Sequence, residues 1–140
     1  MARLFLAAVG LLYAYLAVWC SLQPAQTSSL VGFDLRPGSG QSEFLVVYGG
    51  LELGLALVFL WPLWRPQQVQ SSLLACLLIH GCLVVFRSVS FGLYSDIQAM
   101  TYKLAAGEWL IFLVAAWLTW RTSRPSPANP VTHADRSRTD

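Results

Sequence analysis

The chain carries little charge: 11 % of its 140 residues are Asp, Glu, Lys or Arg, against roughly 25 % in soluble domains. A formal charge of +2 is too small to argue for nucleic acid. Cysteine is scarce as well. Cys20, Cys76 and Cys82 form no C-x-x-C pair and no metal-ligand spacing. Cys76 and Cys82 lie on one helical stretch, about 9 Å apart in rise, which disfavours a disulfide between them. No G-x-G-x-x-G or G-x-x-x-x-G-K run occurs, so the common phosphate-cradling loops are excluded. Histidine is limited to His80 and His133, too few for a histidine-built metal or haem centre. No cofactor and no metal is expected.

What the chain has is apolar length, with 56 % hydrophobic residues. They concentrate in four stretches, at 4–22, 44–64, 70–91 and 102–120. Each makes a helix of about 28 to 33 Å, matching a hydrocarbon core of about 30 Å. A single domain of this size has too little interior to hide four such segments. The expected fold is therefore all-α, a four-helix transmembrane bundle of antiparallel up-down topology covering residues 1–121, with a polar, disordered tail over 122–140. The first stretch could instead be a cleaved signal peptide behind Arg3. Its apolar run exceeds an ordinary h-region and no small-x-small site precedes Gln23, so a retained helix is expected.

Basic residues orient the bundle. Arg3, Arg65, Arg121 and Arg124 fall on one side of a four-crossing chain, and the positive-inside rule makes that side cytoplasmic, with both termini there. The linker 23–41 is rich in Pro, Gly, Ser and Thr and reads as an outer loop, not a fifth element. Its Val31, Phe33 and Leu35 could lie along the membrane surface or over the bundle mouth. Gly10 with Ala14, and Gly50 with Gly54, form small-x-x-x-small pairs that permit close helix approach.

Against this apolar background stand Glu52, Arg87 and Glu108. A charged side chain at membrane depth costs roughly 2.5–3.5 kcal/mol even on lenient scales, so such groups pair, face a polar cavity, or work. Counted from the outer helix ends, the three fall within a vertical spread of about 6 Å. Arg87 is expected to pair with Glu108, Glu52 or both. Tyr48 and Glu52, four apart, share a face of the second stretch, opposite to Gly50. His80 and Arg87 share a face of the third. One buried polar cluster of Glu52, Arg87, Glu108, Tyr48 and His80 follows. It would be either an ion pair fixing helix register or a pocket that binds or protonates a lipophilic molecule. A third reading has one charged group reaching back to the interface. His80 by itself could be a helix contact, a proton carrier or, least in keeping with its isolation, a metal ligand. Asp96 would be a turn residue or sit at a pocket mouth. No catalytic residue can be named.

The run Glu43-Phe44-Leu45-Val46-Val47-Tyr48-Gly49-Gly50-Leu51-Glu52-Leu53-Gly54-Leu55-Ala56-Leu57, followed by Phe86-Arg87-Ser88-Val89-Ser90, Asp96 and Glu108, resembles the DUF4345 family of small bacterial membrane proteins. The likeness extends from about residue 4 to 120. It implies four membrane helices in the bacterial inner membrane and no assigned activity; Asp96-Ile97 stands where relatives have Asp-Gly. The expectation is a non-catalytic membrane protein that binds a lipophilic small molecule or serves as an accessory subunit. Its partners would be membrane lipid, a lipophilic ligand, and a membrane protein or second copy. The alternative is a membrane enzyme performing acid/base chemistry on a lipophilic substrate, with Glu52 or Glu108 as the acid/base.

Overall fold

The computed structural model describes residues 1–122. Four helices in it are long and apolar enough to cross a membrane: α1 (Ala2–Leu22), α3 (Ser39–Leu63), α4 (Pro66–Leu93) and α5 (Ala99–Thr122). A short fifth helix, α2 (Pro24–Leu30), lies between the first two. This corrects the reading of 23–41 as loop throughout. Pro24 presets the first turn, and the hydroxyls that suggest a loop turn back on the helix itself. Thr27 Oγ1 donates to the Gln23 carbonyl at 2.9 Å and Ser29 Oγ to that of Gln26 at 2.8 Å. The tail expected from 122 onwards lies outside the described residues, apart from Thr122, which closes α5.

Breaks between the spans follow from local chemistry. Pro62 sits in a 3-10 turn ending α3, Pro66 opens another that starts α4, and residues 64–65 form the tight link. Between α4 and α5, Asp96 takes the left-handed conformation (φ 58°), which Asp tolerates better than most side chains.

The helices associate as two antiparallel pairs, α1 with α3 and α4 with α5. Antiparallel order in the first pair shows in its contacts: Arg3 Nη2 donates to the Leu63 carbonyl at 3.2 Å, and at the opposite end Gly49 lies against Ser21. Leu6, Val9, Phe59, Leu73, Cys76, Ala115 and Leu118 form a shared core to which all four spans contribute. Outward faces are just as apolar; Leu4 and Phe86 are each 76 % exposed. Such a surface on every side suits hydrocarbon and not water. The molecule is a four-helix transmembrane bundle.

Within lipid, apolar contact brings no hydrophobic gain, so close packing and polar links hold the helices. Gly10 is a true close-approach point: a Cβ there would meet Leu60 Cγ at 2.7 Å and the Ala56 carbonyl oxygen at 3.1 Å. Gly50 and Gly54 are not. A Cβ on either meets nothing within 4 Å among the described residues, so the expected packing face of α3 points outward. The cause is a π-helical segment, Leu45–Leu51, whose wider turns reset which side of α3 meets α1. Gly49, not Gly50, faces the neighbour. A further link ties the pairs together, from Ser72 Oγ in α4 to the Val58 carbonyl in α3 at 2.9 Å.

Candidate functional site

The charged residues of the spans meet as follows. Arg87 on α4 and Glu108 on α5 form a bidentate pair, Nε to Oε2 at 3.0 Å and Nη2 to Oε1 at 2.6 Å. Their side chains are 26 % and 15 % exposed. Two parallel charge-assisted bonds fix the guanidinium plane. They leave Nη1 of Arg87 without an acceptor among the described residues.

Glu52 does not join this pair. It makes no ion pair among the described residues, and its Oε2 is buried with no hydrogen-bond partner. The expected single cluster is therefore divided. His80 stands apart as well: fully buried, it bonds with Tyr13 of α1 and the Cys76 carbonyl. Tyr13 was not anticipated from the sequence, although a phenol in mid-span needs a polar partner.

Two adjoining cavities explain how the remaining groups are arranged. The larger, of about 760 Å³, lies between α3, α4 and α5 and is lined by Arg87, Ser90, Asp96, Gln98, Thr101 and Tyr48, with Val31 and Phe33 over it. The smaller, of about 90 Å³, is bounded by α1, α2, α3 and α5, with Leu16, Trp19, Leu30, Phe44 and Met100 around Glu52. Val31, Tyr48 and Leu104 line both. The partition between a polar and an apolar chamber is thus a few side chains thick.

Local structure positions this partition. The π-helical segment carries Tyr48 and ends one residue before Glu52, and such segments recur at functional sites. Tyr48 stacks on Phe44 with centroids 4.5 Å apart and meets Phe33 edge-on at 5.9 Å. The segment after α2 is turned over the cavities at Gly32, whose φ of 82° suits glycine. Tyr48 makes no side-chain hydrogen bond among the described residues. Among the polar groups that the walls present are the Tyr48 hydroxyl, Glu52 Oε2 and Arg87 Nη1, none with a full set of partners among the described residues. They can bind hydrogen-bonding groups of a ligand, or exchange a proton with one. Glu108 lines neither cavity. Among the described residues, no three His, Cys, Asp or Glu side chains gather as a metal site would require.

The pattern of a Tyr48–Glu52 helix beside an Arg87–Glu108 pair sits within a sequence match that spans residues 1–122, to the family described as Domain of unknown function (DUF4345). The chain belongs to the DUF4345 family. No curated protein and no solved structure matches it. For this DUF4345 protein, then, chemistry has to be read from the cavities themselves.

Proposed function

We propose that this DUF4345 protein is a non-catalytic binder of a lipophilic small molecule, held in the two adjoining cavities. The observation that carries the reading is Glu52 Oε2, buried at the wall of a largely apolar cavity with no partner among the described residues. A buried polar group left unsatisfied costs roughly 1–3 kcal/mol. A ligand that hydrogen-bonds to it offsets that cost. Native mass spectrometry of the full chain after mild extraction tests the reading. The wild type should carry a small-molecule adduct, and Leu104→Trp, which fills the partition, should lose it. An unliganded wild type, or an adduct unaffected by Leu104→Trp, would refute it.

Two other readings have a specific observation behind them. Glu52 and Tyr48 beside the same cavity are the groups an acid/base enzyme would use. Conversion of the bound compound by wild type but not by Glu52→Gln would favour that enzyme. The accessory-subunit reading would seat a partner helix, or a second copy, on the outward side of α3 at Gly50 and Gly54. A cysteine at position 54 would then cross-link in the native membrane.

We further propose the bacterial inner membrane as the location, with residue 1 and the end of α5 in the cytoplasm. Arg3 and Leu63 touch at the end of the bundle that also holds Arg65 and Arg121, and the cavities lie at the other end. A phosphatase reporter fused after α5 should be inactive in cells, and one inserted near Ser39 active.

A further inference from the structure

We infer that the occupant of the two cavities is an uncharged, flat compound with a hydroxyl or carbonyl oxygen at each end. This rests on the ligand-binding reading and extends it to the ligand's chemistry. Size comes first. The apolar cavity holds about 90 Å³, less than the roughly 150 Å³ of an apolar cavity known to admit benzene. One end of the ligand enters it, therefore, and the body lies past Tyr48 in the chamber of about 760 Å³.

Charge comes next. At the polar end Arg87 is matched by Glu108 through two bonds, and Asp96 lines the same chamber. That end has no unbalanced positive charge for an anion to neutralise. What it has is the Nη1 donor with the uncharged Ser90, Gln98 and Thr101 side chains, which suit a neutral oxygen, while the Asp96 carboxylate is exposed to solvent. At the apolar end Glu52 meets no cation among the described residues. An anionic group suits only the carboxylic acid form and must shed its hydration in an apolar cavity. A hydroxyl satisfies Glu52 in either protonation state, donating to a carboxylate or accepting from a carboxylic acid. A cationic amine suits only the ionised form and must shed its hydration among Leu16, Trp19 and Met100.

Shape follows from the walls. Trp19, Phe44 and Tyr48 present three aromatic rings to the apolar cavity, and aromatic rings pack best against a flat partner in offset or edge-on contact.

Photolabelling of the full chain in nanodiscs decides the matter. 4-Hydroxybenzophenone carries a ketone and a distal hydroxyl, and crosslinks when illuminated. Benzophenone lacks the hydroxyl, 4-benzoylbenzoate replaces it with an anion, and 4-(aminomethyl)benzophenone with a cation. The hydroxy probe should label peptides bearing Trp19, Tyr48 or Met100 saturably, at about tenfold lower concentration than benzophenone, the effect of one hydrogen bond. Glu52→Leu should remove that tenfold advantage while benzophenone still labels, which also reports that the variant is folded. Either charged probe binding as tightly as the hydroxy probe, or no effect of Glu52→Leu, overturns the inference and leaves cavity binding standing. No saturable labelling by any probe, together with no adduct in native mass spectrometry, overturns both.

Discussion

The Tyr13 hydroxyl lies 3.2 Å from Nε2 of His80, while Nδ1 of the same ring lies 2.9 Å from the Cys76 carbonyl. A carbonyl can only accept, so the proton of the neutral ring sits on Nδ1, and Tyr13 donates to Nε2. The bond joins α1 to α4, which run in the same direction and belong to different antiparallel pairs. Edge-on ring contacts of Tyr13 with His80 at 5.8 Å and Phe59 at 5.6 Å reinforce it. Tyr13, with Ser72, thus pins the two halves of the bundle together.

Removing that pin should loosen the halves without unfolding them. Interhelical hydrogen bonds in membranes are worth about 0.6 kcal/mol on average and up to about 1.7. Tyr13→Phe keeps the ring packing and should cost an amount in that range, measured by reversible unfolding in mixed micelles. A Tyr13→Phe/His80→Phe pair whose effects simply add would show that the two residues are not coupled.

The Arg87–Glu108 pair should be much less forgiving of single changes. Glu108→Leu leaves the Arg87 guanidinium unpaired at the wall of the polar chamber and should cost up to about 3 kcal/mol, the low end for breaking a buried pair, visible as lost abundance in the membrane. Arg87→Met added to Glu108→Leu should restore most of it, since replacing both partners removes both desolvation penalties. Should the double variant be no more stable than Glu108→Leu alone, the pair does more than satisfy itself.

This pair was legible in the sequence because a charge at membrane depth has few ways to exist, and opposite signs at matching depth nearly dictate a meeting. The four spans were legible for a similar reason: runs of about 20 apolar residues signal a crossing whatever their neighbours are. Facing was not legible. Gly50 and Gly54 have the spacing of a contact motif, yet a helical wheel assumes a uniform α-helix, and the π-helical Leu45–Leu51 segment breaks that assumption. Glu52 was assigned to the cluster on its depth and on a face shared with Tyr48; neither says which neighbour that face meets, and the side chain turns to a cavity shared with α1 and α2. The α2 helix was hidden by hydroxyl-rich composition, which marks a loop only when the hydroxyls do not bond their own helix.

Glycine substitutions separate the two kinds of small residue directly. Gly10→Ala forces its methyl onto Leu60 and the Ala56 carbonyl and should destabilise by about 1–3 kcal/mol, the range for overpacking. Gly54→Ala has open space and should stabilise by up to about 1 kcal/mol through helix propensity. Thermal unfolding of both variants in the same detergent checks the pair. A destabilising Gly54→Ala would place another chain against that face.

Glu52→Leu sets stability against function. A residue kept for the fold would weaken the fold when replaced. Glu52 gives the fold nothing that is visible: its Oε2 is buried without a partner among the described residues, in a cavity lined mostly by apolar side chains. Leucine fills similar volume with no polar atom to satisfy. The variant should therefore unfold at the same or higher temperature than the wild type, with a gain of up to about 1–3 kcal/mol, while losing whatever adduct the wild type carries. Stability gained at the expense of activity is the usual mark of a residue retained for its chemistry. Loss of stability equal to that of Glu108→Leu would instead make Glu52 a structural partner within the bundle.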